Sequence, residues 1–101
     1  MITCKVDAKG GTFQYYLKMI DNYPAIKEIN LEKLNRIIKE LDRQKQMQYK
    51  NASSIDTFSY TLSDEDWSCV VKTLQTLSEH SLLDKVPILR MLANLKEHGI
   101  K

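Results

Sequence analysis

A chain of 101 residues with 43% hydrophobic and 28% charged side chains fits one modest hydrophobic core, which argues against wholesale disorder and makes a single domain the expectation. The formal charge of +2 discriminates little by itself, because nucleic-acid binders commonly need a basic face rather than a basic total. No stretch approaches the roughly 20 apolar residues that cross a bilayer, and the two cysteines, Cys4 and Cys69, have no metal-ligand spacing, so a cytoplasmic, non-membrane protein is expected.

At the start of the chain, Ile2, Cys4 and Val6 alternate with Thr3, Lys5 and Asp7, the pattern of a half-buried strand. "DAKGGT" supplies turn residues, and the aromatic content of "TFQYYLKMI" predicts a returning strand that closes a hairpin. Tyr16 interrupts that alternation, so a helix over 13–20 stays open as the alternative. Pro24 marks a break before the next element.

The segment "NLEKLNRIIKELDRQKQMQYK" predicts a long helix capped by Asn30, with Leu31, Leu34, Ile37, Ile38 and Leu41 on its buried stripe. Lys45 and Gln48 occupy the continuation of the stripe, which predicts last turns that project into solvent or fray. "IDTFSYTL" alternates again and predicts a strand over 55–61. Ser63 then caps "SDEDW", with Asp66 at the reciprocal position and Leu62 packing on Trp67, so the acidic triplet is explained by the positive end of a helix. Trp67, Val70, Val71, Leu74 and Leu77 face the core. "SLLDK" interrupts before a last helix with Asp84 or a neighbour as cap, Pro87 in its first turn, Ile88, Met91, Leu92 and Leu95 buried, and Gly99 as a left-handed stop.

The resulting expectation is an α+β domain over 1–101. A small antiparallel sheet of two or three strands packs against three or four helices in the order β-β-α-β-α-α. Charge divides by segment: residues 1–26 carry +1, 27–50 carry +3, 51–84 carry −5 and 85–101 carry +3. Such asymmetry suits a head-to-tail contact between copies.

No chemical constellation stands out. Cys69 and His80 lie on one side of the same helix, but eleven residues of helical rise separate them by about 16 Å. Two histidines and scattered acids lack zinc or calcium spacing, and neither GxxxxGK[ST] nor GxGxxG occurs. The expectation is a protein without catalysis, metal, cofactor or small-molecule substrate, acting as a protein-interaction module or regulator. Its partner is a second copy in a homodimer, or a heterologous protein. The expected contact residues are Arg36, Arg43, Met47 and Tyr49 on the long helix and Leu89, Arg90 and Asn94 on the last one.

The alternative is nucleic-acid binding. "ILRMLANLKEHGI" resembles the second helix of winged helix-turn-helix domains, in which an apolar helix ends at glycine and leads into a wing. That resemblance implies a reading helix over 86–98, with Arg90, Asn94, Lys96 and Lys101 toward the nucleic acid. Glu97 on the same side opposes phosphate, and no wing hairpin is expected after a sequence that ends at Lys101.

Overall fold

The computed structural model describes residues 1–7, 13–23, 29–51, 55–80 and 85–100. It is an α+β fold in which a two-stranded antiparallel sheet packs against four helices. In chain order these are β1 (Ile2–Asp7), α1 (Phe13–Lys18) followed by a 3₁₀ turn (Met19–Asn22), α2 (Leu31–Asn51), β2 (Thr57–Leu62), α3 (Asp64–His80) and α4 (Lys85–Glu97). The expected turn over 8–12, the break at Pro24, the link 81–84 with Asp84, and Lys101 lie outside the described residues.

The hairpin is not formed. Residues 13–20 are helical, and β1 pairs instead with β2, in a register from Ile2↔Leu62 to Asp7↔Thr57. The reason lies in period. Phe13, Tyr16, Leu17 and Ile20 are all buried while Tyr15 is exposed, which is one face of a helix; a strand would place Phe13, Tyr15 and Leu17 together. The order is therefore β-α-α-β-α-α, with the 3₁₀ turn after the first helix.

One face of the sheet carries Cys4, Val6, Phe58, Tyr60 and Leu62 into the core. The Phe13 ring meets the edges of Tyr60 and Trp67 at centroid distances of 6.0 and 5.8 Å, so α1 and α3 close over the strands. On the opposite face the Thr3 and Thr61 hydroxyls hydrogen-bond across the strands at 2.8 Å.

The helix ends follow their sequence signals. Asn30 Oδ1 accepts from Lys33 N–H at 3.1 Å, and Ser63 Oγ accepts from Asp66 N–H at 3.2 Å. Pro87 sits in the first turn of α4, where its missing N–H leaves no helical bond unmade. At the other end Gly99 has φ +82°. Gly99 N–H bonds to Lys96 C=O and Ile100 N–H reaches back to Leu95 C=O, each at 3.0 Å, with Ile100 and Leu95 both buried. Those paired bonds form a Schellman stop, which needs the left-handed residue that glycine supplies.

Candidate protein-contact surfaces

A two-stranded sheet has two open edges, and each outward N–H and C=O must find a partner or face water. Here side chains four residues apart meet Thr61 and Ser59 on one edge and Lys5 on the other.

On the β2 edge the partners are Gln44 and Gln48 of α2. Gln44 Oε1 accepts from Thr61 N–H and its Nε2 donates to Thr61 C=O, both at 2.8 Å. One turn on, Gln48 Oε1 accepts from Ser59 N–H at 2.8 Å and its Nε2 donates to Ser59 C=O at 3.0 Å. Each glutamine thus presents a primary amide where a neighbouring strand would present its backbone. The spacing matches because four helical residues rise about 6 Å and two strand residues about 6.7 Å. The second amide hydrogens are also placed, from Gln44 to Glu40 Oε2 at 2.7 Å and from Gln48 to Gln44 C=O at 3.0 Å. The last turns of α2 therefore neither project nor fray; their amides hold the sheet, and Lys45 and Tyr49 cover the Phe58 ring.

The same helix ridge carries Arg43, whose guanidinium pairs with Glu40. Bonds from Arg43 and then Gln44 hold the Glu40 carboxyl down at about 2. Arg43 and Met47, with Met1, Ser63 and Asp66, line a groove of about 630 Å³ beside the glutamine ladder. Of the expected contact residues on this helix, Arg36, Arg43, Met47 and Tyr49 are all exposed.

On the β1 edge the partners are Asn94 of α4 and His98, the residue after its end. Asn94 Nδ2 donates to Lys5 C=O at 3.0 Å, and Lys5 N–H donates to His98 Nε2 at 3.3 Å. The Asn94 amide also approaches the buried Cys4 sulfur at 3.7 Å. Asn94, expected to face a partner or a base, is thus turned onto the strand and half-buried, while Leu89, Arg90 and Lys96 remain exposed. The C-terminal halves of the two basic helices consequently sit on opposite edges of the sheet, with both strands between them.

What α4 turns outward is apolar at helical spacing. Val86 is 60% exposed, Leu89 is 47% exposed and Ala93 is exposed, with Lys85, Arg90 and Lys96 around them. Toward α3 the helix instead places Ile88, Met91 and Leu95 in the core.

The sites with chemical potential are subdued. Both cysteines are free thiols; burial pushes Cys4 up to about 11 and also raises Cys69. Among the described residues no group of three or more His, Cys, Asp or Glu could hold a metal, and no helix is long and apolar enough to cross a membrane. Gln44, Gln48 and His98 were not expected as participants. The signal for the first two was present in a glutamine pair at i, i+4 on a helix that outlasts its apolar stripe. Comparison of the chain with protein-family models, with curated proteins and with solved structures finds no match.

Proposed function

We propose that this chain is a protein-interaction module without a catalytic centre of its own, and that it associates with a second copy of itself through the outward face of α4. The supporting observation is the exposed stripe of Val86, Leu89 and Ala93 bordered by Lys85 and Arg90. Apolar side chains repeated at one-turn spacing on a solvent face gain from being covered, and the surrounding cations favour a surface that offers carboxylates. The chain itself carries such a surface. Asp64 and Glu65 in the first turn of α3 are exposed and lie at the end of α3 remote from the start of α4, which suits a head-to-tail contact. The free thiols support a reducing, cytoplasmic setting.

Sedimentation velocity over a range of concentrations and salt tests this reading. Association is expected to grow with concentration and weaken in salt, and Leu89→Asp is expected to abolish it without altering helix content. Arg90→Glu mixed with an Asp64→Lys/Glu65→Lys double variant is expected to restore association that each lacks alone. A wild-type monomer at every concentration refutes self-association. The helix-turn-helix alternative keeps Arg90 and Lys96 displayed but has Asn94 engaged on β1, and a low-salt titration with duplex DNA tests it.

A further inference from the structure

We propose that His98 is a protonation-operated latch between α4 and the outer edge of β1, a regulatory element independent of the association reading. The geometry assigns its protons. His98 Nδ1 lies 2.8 Å from the Asn94 carbonyl oxygen, and Nε2 faces the Lys5 N–H at 3.3 Å. A carbonyl oxygen can only accept, so Nδ1 carries hydrogen; an amide N–H can only donate, so Nε2 is bare. The ring that makes both bonds is therefore the neutral imidazole.

Adding a proton at Nε2 sets two donors against each other. The bond to Lys5 is lost, whereas the Nδ1–H bond to the Asn94 carbonyl survives. Protonation thus leaves the ring attached to α4 and detaches it from β1. Lys5 keeps one partner on this edge, the Asn94 amide on its carbonyl. Its N–H then joins the outward N–H and C=O of Thr3, two residues earlier on the same edge, which have no hydrogen-bond partner among the described residues. The neutral ring holds the Lys5 N–H on this edge, and the cation releases it beside the outward groups of Thr3.

The charged and titratable groups at this junction do not duplicate the role. β1 brings Lys5, whose side chain is exposed, and Cys4, whose thiol is buried. Lys96 and Glu97 precede His98 at the end of α4 and are exposed, and the neutral Val71 and Gln75 of α3 line a groove together with Lys96 and Ile100.

Nitrogen and proton NMR of the isotope-labelled full chain, at a dilution that keeps it monomeric, provides the test. At high pH the Nε2 resonance of His98 is expected at the position of an unprotonated acceptor. Between about pH 8 and 5 the Lys5 amide is expected to exchange about tenfold faster after correction for intrinsic chemistry, the equilibrium worth of one such bond. His98→Gln is expected to make Lys5 exchange independent of pH, and His80→Gln, which removes the other histidine, is expected to leave the wild-type profile. A ring protonated on Nε2 at high pH overturns the proposal, as does a pH response that survives His98→Gln. The tautomer is read on the wild type, so it decides even if the variant does not fold, and neither readout depends on association.

Discussion

Replacing Gln44 with methionine tests whether side-chain amides stand in for a missing strand. The substitution keeps length and helix propensity while removing both bonds to Thr61, together with the amide bond to Glu40. A net contribution of about 0.5–1.5 kcal/mol for each hydrogen bond gives an expected loss of about 1–3 kcal/mol, and Thr61 N–H and C=O are left half-buried without partners, which places the value in the upper part of that range. Gln48→Met removes the equivalent pair to Ser59 and has the same expected size. The two losses should add, because the contact between the glutamines uses the Gln44 backbone carbonyl, which methionine also has. Gln46→Met is the control: that side chain is exposed, and its replacement should stay within about 0.5 kcal/mol of wild type. Urea unfolding measures the free energies, and amide exchange at Ser59 and Thr61 reports the edge directly. If Gln44→Met matches Gln46→Met in both assays, the ladder contributes nothing and the reasoning fails.

Two further outcomes are expected. Gln14 Nε2 donates to the Tyr60 hydroxyl at 3.3 Å while Gln14 Oε1 is buried without a partner among the described residues, so Gln14→Met or Tyr60→Phe alone should cost about 1–3 kcal/mol by stranding the other group. The double variant should lie nearer wild type than either single one, and a double loss equal to the sum would refute the coupling. For Glu40, the folded carboxyl is held at about 2, below its ordinary value, so its contribution is present above the ordinary carboxylate range and is lost as pH falls toward 2. Carboxyl NMR should show this low titration in wild type and a rise toward the ordinary value in Arg43→Gln; an ordinary titration in wild type contradicts the pairing.

Local signals carried most of the helices. The caps at Asn30 and Ser63, the position of Pro87 and the stop at Gly99 each depend on residues within one turn, and the structure keeps all four. The stripe of α2 holds at Leu34, Ile37, Ile38 and Leu41, whereas Leu31 is 45% exposed. Aromatic content misdirected residues 13–20 toward strand, because Phe13 and Tyr16 report burial without reporting period. The pairing of β1 with β2 joins residues 50 to 60 positions apart, and nothing local encodes it. Asn94 shows the same limit at the candidate surface. It is one turn from Arg90 along α4, yet the small difference in angle places Asn94 against Lys5 and Arg90 in solvent.

A lone pair of antiparallel strands is marginal in water, so the way its edges are closed constrains where this protein can make contacts. On the β2 side, the ridge that carries Arg43 and Met47 is one position from the ladder, and Gln44 shares Glu40 with Arg43. A substitution there disturbs the sheet and the surface together, which makes that groove a poor place to separate binding from folding. On the β1 side the division is cleaner. Asn94 and His98, at the C-terminal end of α4 and just beyond it, face the strand, whereas Val86 and Leu89, in its first turns, face solvent. Because the fold makes little use of their side chains, a loss of association on Leu89→Asp with unchanged unfolding energy would measure contact alone, and an equal loss of stability would assign Leu89 to the fold instead.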